Sequence, residues 1–136
     1  MRLFLDSNIF IRLLVPENPQ QTSECEEIFK KIETGSITPL TSDIVITEVS
    51  YVLSRIYKIE KTKVVEWQKD LLKIPNLILV QKTDVQKAIN FYEKFNIKFG
   101  DCLIATQVPQ GVPLCTYDSD FKKIKGLLTI LPSQIK

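Results

Sequence analysis

The chain has 136 residues, 44% of them hydrophobic and 25% charged, which suits one ordinary globular domain with a real core. Its net charge of +2 is mildly basic and does not by itself indicate a polyanionic partner. The absence of histidine excludes Ser-His-Asp and Cys-His hydrolysis, histidine-based ribonuclease chemistry and nearly every catalytic zinc site.

The first predicted elements are a buried strand over residues 2–5 and a helix that starts directly behind it. The strand is a short apolar run that ends at Asp6, and the helix over residues 9–15 is stopped by Pro16. A second helix is predicted over residues 22–34, with acidic residues near its start and lysines near its end.

The middle of the chain predicts two more strands and a pair of helices. Residues 36–40 form a short strand, and Pro39 favours an edge position for it because proline cannot donate a ladder hydrogen bond. Helices over residues 43–57 and 61–73 have apolar residues at helical spacing. The unalternating apolar run at residues 76–80 predicts a strand that is buried on both faces.

The last third of the chain predicts two helices and two strands. Thr83 and Gln86 match a capping box that opens a helix, and a short apolar helix follows over residues 101–108. Strands are predicted over residues 112–117 and 127–131. Because strands alternate with helices, we expect one α/β domain over residues 1–136, with a mainly parallel sheet of four to five strands.

Two acidic residues stand at the carboxyl ends of predicted strands. Asp6 closes the first strand and Asp118 closes the fourth. The carboxyl ends of parallel strands meet at one edge of a sheet, so both side chains are expected at that edge. For either residue alone, capping of the following helix is an adequate explanation.

Two further acidic residues occupy positions that are unusual for a surface charge. Glu48 follows Ile44 and precedes Val52 at intervals of four, which places it on the apolar stripe of its helix. A buried carboxylate needs compensation by a cation or by a lysine or arginine, unless it lies at the margin of the stripe. Asp101 begins an apolar helix, where N-capping is the alternative to a functional role.

Together these four residues predict a cluster of carboxylates, which repel one another unless protons or cations neutralise them. Mg²⁺ and Mn²⁺ prefer oxygen ligands, and either ion can activate water for attack on a phosphodiester. Metal-dependent phosphodiester hydrolysis is therefore the leading chemical hypothesis.

Four stretches of the chain, in order, resemble the four motif regions of PIN domains, and length and order are similar to those of the VapC-like toxin ribonucleases of type II toxin–antitoxin systems. The stretches are Leu5-Asp6-Ser7-Asn8, Ile46-Thr47-Glu48-Val49, Gly100-Asp101-Cys102-Leu103-Ile104-Ala105 and Thr116-Tyr117-Asp118-Ser119-Asp120-Phe121. The resemblance covers essentially the whole chain. Its one modest departure is Cys102, where a small residue such as alanine is usual.

The resemblance implies a Rossmann-like α/β/α sandwich and an endoribonuclease that depends on Mg²⁺ or Mn²⁺. It also implies a homodimer, for which the helices over residues 43–57 and 61–73 are the first surface to test, and a cognate antitoxin. The site residues that it implies are an acidic quartet of Asp6, Glu48, Asp101 and Asp118, an additional acidic position at Asp120, and the supporting residues Ser7, Asn8 and Thr116.

The expected reaction is in-line attack of a metal-activated water on RNA phosphorus. Arg12, Lys122, Lys123 and Lys125 are candidate phosphate contacts because they follow motif-bearing strand ends, and a solvated surface is the alternative for the lysines.

Other functions remain open from the sequence. The main alternative is a catalytically silent PIN-fold module that binds RNA or protein. A phosphatase with Asp6 as nucleophile usually has a second aspartate where this chain has Asn8, and a receiver-like domain would need an acidic pair and a late lysine that are not evident. A DNA nuclease of the flap-endonuclease type is possible on chemistry alone, but those chains are longer.

The cysteines and the apolar runs of the chain indicate the cellular compartment in which the protein is expected. Cys25, Cys102 and Cys115 form no C-x-x-C pair and each lies among apolar neighbours, which favours packing in a reducing cytoplasm over a disulfide framework. No apolar run approaches the ~18 residues that span a membrane, and the N-terminus does not read as a signal peptide. We therefore expect a cytoplasmic protein without a membrane segment.

Overall fold

The computed structural model describes residues 1–136 and contains a five-stranded, wholly parallel sheet with the order β3-β2-β1-β4-β5. The strands are β1 (Arg2–Leu5), β2 (Thr38–Ser42), β3 (Ile78–Val80), β4 (Leu114–Cys115) and β5 (Thr129–Ile130). The chain runs outward from β1 in one direction and then returns to the other side of it. The order of strands therefore reverses between β1 and β4, where open α/β sheets form their crevice.

Six α-helices and three shorter helical segments connect the strands and complete the α/β sandwich that the sequence predicts. The α-helices are α1 (Ser7–Leu14), α2 (Pro19–Glu33), α3 (Asp43–Tyr51), α4 (Lys61–Leu71), α5 (Val85–Lys94) and α6 (Phe99–Gln107). A π-helical turn (Val52–Ile56) continues α3, and 3₁₀ segments cover Ser119–Lys123 and Pro132–Gln134. None of the helices combines the length and the apolarity that crossing a membrane would need.

The core is one contiguous cluster of 26 buried hydrophobic residues. Strand β1 lies at its centre, and Leu3, Phe4 and Leu5 are fully buried because helices or strands cover them on every side. All three cysteines are buried and free, in the packing role that the sequence predicts. A single core is what one domain over residues 1–136 requires, and the one-domain assignment remains a prediction.

Strand β2 is not at an edge, so that prediction from Pro39 was wrong. The strand lies between β1 and β3. The Thr38 N–H bonds the Met1 carbonyl on the β1 side, so the nitrogen of Pro39 faces the β3 side, and β3 begins only opposite Leu40. Proline is tolerated because the ladder with β3 begins only at the next residue, so Pro39 need not donate to it.

Strand β3 is the edge strand instead, and its predicted burial on both faces was also wrong. Ile78 is 37% exposed and the other two residues of the strand are half-buried. The helix that follows it begins one residue later than the predicted capping box, because the Asp84 carboxylate, and not Thr83, accepts from the Lys87 N–H. An apolar run identifies a strand here but does not identify its neighbours.

Candidate active site

Asp6 lies at the carboxyl end of β1, at the point where the strand order reverses, and only 2% of its surface is exposed. One carboxylate oxygen, Oδ1, accepts a hydrogen bond of 2.8 Å from the Ser7 N–H and so caps α1. The other, Oδ2, accepts from the Thr116 hydroxyl at 2.6 Å and from the Asn8 amide at 3.2 Å. Helix capping therefore accounts for half of this carboxylate, and the second oxygen belongs to a separate network.

That network joins the ends of β1 and β4. The Thr116 hydroxyl donates to Asp6 and accepts from the Asn8 amide at 3.2 Å and from the Asp118 N–H at 3.0 Å. The Asn8 carbonyl oxygen accepts from the Tyr117 N–H at 3.2 Å. Asn8 and Thr116, both expected as supporting residues, thus hold two strand ends in a fixed relation around Asp6.

Glu48 reaches the same place from α3. Its Oε1 accepts from the Ser7 hydroxyl at 2.6 Å, so α1 and α3 meet through this contact. Neither lysine nor arginine compensates Glu48, since the two ion pairs of the protein are Lys30–Glu27 and Lys123–Asp120. Val45 and Val49 are fully buried while Glu48 is half-buried, so the glutamate lies at the margin of the buried face.

Asp101 approaches from α6 and does not cap it. The helix begins at Phe99, Lys98 stands at the cap position, and no side chain makes a cap hydrogen bond there. Asp101 is only 2% exposed, and its Oδ2 has no hydrogen-bond partner. A buried carboxylate oxygen without a partner is costly, which is the condition that a bound cation or a proton would relieve.

Burial and mutual repulsion raise the pKa of both buried carboxyls. Burial raises the pKa of Asp101 to about 7, the charge of Lys98 opposes the rise, and Glu48, Asp6 and Asp118 add to it. Burial likewise raises the pKa of Asp6 to about 6, although its hydrogen bonds from Thr116 and Ser7 oppose the rise. The four acidic residues expected from the sequence are therefore close enough to influence one another's charge.

Asp118 and Asp120 have different surroundings. The Asp118 carboxylate accepts from the Asp120 N–H at 2.9 Å and caps the 3₁₀ segment, so its capping role is real. The Asp120 carboxylate instead pairs with Lys123 at 3.1 Å, and both of these side chains are more than 40% exposed. Asp120 is thus tied to a lysine and makes no side-chain hydrogen bond to the acidic quartet.

The four basic residues named from the sequence separate into different environments. Lys122 lines a cavity of about 220 Å³ together with Thr116 and Asp118. Lys123 also donates to the Asn96 carbonyl, and Arg12 donates from Nε to the Gln21 side chain.

Lys125 lies away from the acidic residues. It lines another cavity, with residues that precede β4 and β5, at the amino-terminal edge of the sheet. Lys125 follows a motif closely in sequence, but its side chain does not lie at the acidic site.

Two residues that bear on the site were not predicted from the sequence. Lys98 lowers the pKa of Asp101, and the signal that could have found it is its position one helical turn before that aspartate. Gln107 is buried at the other end of α6 and bonds Asp43 on α3. A polar residue within an apolar helix was the only sequence signal for it.

The donor chemistry of this site fits a hard divalent cation. All candidate ligands are carboxylate oxygens, and one of them is buried without a partner. No group of three or more acidic or cysteine side chains is arranged so that it could hold a metal ion by itself. Mg²⁺ commonly takes only one or two carboxylates and completes its coordination with waters and substrate, since that ion dehydrates reluctantly.

Comparisons with known proteins bear on the whole chain. The family model of the PIN domain matches residues 3–127. VapBC2 from Rickettsia felis, bound to a DNA fragment from its promoter, has a TM-score of 0.66 and 21% identity over 96% of this chain and 98% of that one.

Two further solved structures are similar in fold. A toxin–antitoxin complex from Klebsiella pneumoniae has a TM-score of 0.63 and 21% identity over 98% of this chain and 99% of that one. FitAcB from Neisseria gonorrhoeae has a TM-score of 0.65 and 15% identity over 99% and 100% of the two chains. No curated protein matches.

Proposed function

This chain belongs to the PIN domain family, and from that premise we propose that it is a metal-dependent endoribonuclease. The observation that carries the proposal is the pair of buried carboxyls, Asp6 at the reversal of strand order and Asp101 on α6, neither of which is in an ion pair. Groups with such raised pKa values are enriched at functional sites because few structural roles tolerate them.

The proposed metal ligands and catalytic residues are the acidic quartet of Asp6, Glu48, Asp101 and Asp118. A bound Mg²⁺ or Mn²⁺ would supply charge for a phosphodiester oxygen and would lower the pKa of an attacking water. The hydrogen bonds described above support distinct roles for the neighbouring residues: Thr116 and Asn8 orient Asp6, and Ser7 orients Glu48. Outer partners of this kind fix the direction of ligand lone pairs.

An RNA substrate is proposed on chemical grounds, with a contact from Lys122. This lysine lines the cavity that also contains Thr116 and Asp118, so its ammonium can meet a phosphate next to the acidic site. Lys98 is a second candidate because its charge acts on Asp101. Asp120 and Lys123 neutralise each other and are proposed to contribute less.

We further propose that the protein is a VapC-like toxin that acts in the cytoplasm and is silenced by an antitoxin. Support comes from solved structures of similar fold whose names describe VapBC2 and a toxin–antitoxin complex. A homodimer is proposed through the surface of α3, the π-helical turn and α4, which exposes Tyr51, Ile56 and Leu72.

The decisive experiment is cleavage of single-stranded RNA by purified protein with Mn²⁺ and with a chelator. Wild type should cleave only with the metal, and Asp6→Asn should lose at least about a hundredfold in rate while remaining folded. Asp70→Asn, at an exposed position on α4, is the matched control and should cleave as wild type does. Full activity of Asp6→Asn would refute the assignment.

The alternative is a catalytically silent module of the same fold that binds RNA or protein. Thermal unfolding with increasing Mn²⁺ separates the two, since a ligand that binds only the folded state raises the melting temperature by mass action. The enzyme should show a rise at millimolar metal. Absence of both the rise and cleavage would favour the silent module.

A further inference from the structure

Gln107, the last residue of α6, makes an unusual buried contact with the start of α3. Its side-chain nitrogen Nε2 donates to the Asp43 carboxylate at 2.9 Å and to the Thr83 hydroxyl at 3.0 Å. Gln107 is only 3% exposed, and its oxygen Oε1 has no hydrogen-bond partner. The glutamine therefore joins α6, α3 and the segment after β3 at one point.

The two buried side-chain atoms without partners in this protein are Gln107 Oε1 and Asp101 Oδ2. Both lie on α6, at its last residue and near its first turn. An apolar side chain of similar size at position 107 would avoid the cost of an unpaired acceptor. The two hydrogen bonds that the glutamine donates therefore point to a role in placing the helix, beyond filling space.

The contact fixes the position of α6 along the axis of α3. Asp43 is the first residue of α3, and Gln107 is the last residue of α6. Glu48 lies five residues after Asp43 on α3, which at a rise of 1.5 Å per residue is about 7.5 Å from the contact. Asp101 lies six residues before Gln107 on α6, which is about 9 Å from the contact. Because Gln107 meets Asp43 and the charge of Glu48 acts on Asp101, α3 and α6 run in opposite directions between these two points, and both carboxylates lie at nearly the same distance from the contact.

The partner of Gln107 is itself held in place. The Asp43 carboxylate oxygen that accepts from Gln107 also accepts from the Ile44 N–H at 2.8 Å. Ser42 caps the same helix through the Val45 N–H at 3.1 Å. A shift of α6 by one residue would break the bond to a fixed acceptor, so the bond resists sliding of the helix.

We propose that Gln107 is a positioning residue, which sets the register of α6 on α3 through Asp43 and thereby holds Asp101 opposite Glu48. This inference rests on the proposed function, because the value of that register lies in the metal site. Gln107 contacts neither metal nor substrate, so it acts through the helix alone.

Four variants test the proposal. Gln107→Leu keeps the approximate shape, removes both hydrogen bonds and also removes the unpaired oxygen, so it should fold. Gln107→Glu places a carboxylate against Asp43, and adding Asp43→Asn restores a hydrogen bond with donor and acceptor exchanged, although the Ile44 N–H then loses its acceptor. Thr106→Ala is the matched control, since it loosens the same end of α6 at the Leu103 carbonyl and the Asp84 N–H without touching Asp43.

The readouts are the Mn²⁺ concentration at half-maximal thermal shift and the separate values of kcat and KM for RNA. Gln107→Leu and Gln107→Glu should raise the half-saturating Mn²⁺ concentration and lower kcat, each by about tenfold or more, with KM unchanged within about twofold. Asp43→Asn combined with Gln107→Glu should recover part of the loss, because the contact between the helices returns while the Ile44 N–H stays without its acceptor. Thr106→Ala should lower the melting temperature and leave Mn²⁺ binding as in wild type.

Each outcome decides between the two proposals. If wild type neither cleaves RNA nor responds to Mn²⁺, the proposed function is refuted and this inference with it. If wild type does both but Gln107→Leu binds Mn²⁺ as wild type does, the positioning role is refuted and the function stands. A loss that is equal in Gln107→Leu and Thr106→Ala would also refute it, because general loosening would then suffice.

Discussion

At the residue scale, Asp101 has a buried carboxylate oxygen without a hydrogen-bond partner. Substitution Asp101→Asn keeps the shape and removes the charge that burial and three neighbouring carboxylates disfavour. We expect the metal-free variant to melt at a higher temperature than wild type at pH 8, and to lose both cleavage and the response to Mn²⁺.

Differential scanning fluorimetry with and without Mn²⁺ checks both effects on Asp101→Asn. The exposed Asp70→Asn is again the control and should leave the melting temperature unchanged. A metal-free Asp101→Asn that is less stable than wild type would mean that an unseen partner satisfies the carboxylate.

Thr116 makes the densest set of hydrogen bonds in the site, with one donated and two accepted. Thr116→Val preserves the shape and leaves the Asp118 N–H without its acceptor. We expect a loss of about 1–3 kcal/mol in the free energy of unfolding. Activity should fall by about tenfold or more, because Asp6 loses its shortest contact.

Thr116→Ser keeps the hydroxyl and serves as the matched variant for Thr116→Val. Chemical denaturation and single-turnover cleavage provide the two measurements. A Thr116→Val variant that is as stable and as active as wild type would show that the hydroxyl does not carry the role of Thr116.

The sequence identified the acidic residues of the site but not their partners. Asp6 and Asp118 were found because they end strands, and Glu48 because it interrupts an apolar stripe. The partners act over long separations: Thr116 is 110 residues from Asp6, and Ser7 is 41 from Glu48. No periodicity in the chain encodes such pairs, so the compensation of Glu48 by a serine hydroxyl became visible only in the fold.

At the element scale, the 3₁₀ segment Ser119–Lys123 presents one lysine to the acidic site and ties down the next. Lys122 lines the cavity with Asp118, while Lys123 is engaged by Asp120 and the Asn96 carbonyl. Lys122→Ala should raise KM for RNA severalfold with kcat nearly unchanged, and should reduce the slope of log affinity against log salt by about 0.7.

Lys125→Ala is the control for Lys122→Ala, since Lys125 lies at the opposite edge of the sheet. Fluorescence anisotropy with a labelled RNA over a range of salt concentrations gives the slopes. If the two alanine variants weaken RNA binding equally, the RNA phosphates do not bind in the cavity next to Asp118.

Element positions were predicted less well than element types. The sequence predicted four to five strands in alternation with helices, and five are present, yet it placed β2 at an edge and β3 inside. Pro39 requires only that its nitrogen need not donate a ladder hydrogen bond, which can also be met inside a sheet. An apolar run such as residues 76–80 indicates a strand, but it does not show which elements cover that strand. Similarly, α6 begins two residues before its predicted start, which converts Asp101 from a cap into an internal residue of the helix.

At the scale of the whole molecule, the acidic site should make stability depend on pH in a simple way. Asp6 and Asp101 have folded-state pKa values of about 6 and about 7, above the ordinary value of 3.8. The folded state therefore binds protons more tightly than the unfolded state, and metal-free protein should lose free energy of unfolding as the pH rises from about 5 to 8. The loss should be of the order of a few kcal/mol.

The absence of histidine leaves few other side chains that titrate in this range, so the effect should be readily assigned. Urea denaturation at several pH values measures it, and saturating Mn²⁺ at pH 8 should restore the lost stability. The double variant Asp6→Asn, Asp101→Asn should show a flat profile. A wild-type stability that rises between pH 5 and 8 would contradict the raised pKa values.

The central place of β1 also has a consequence for synthesis on the ribosome. The strand is made well before β4, with which it pairs, and Asp6 receives its shortest hydrogen bond from a residue 110 positions later. Early chain products thus carry Asp6 without the second strand end that completes its surroundings. A nascent or prematurely terminated chain that lacks residues 114–118 cannot assemble the site, so the acidic site forms only after β4 has been made.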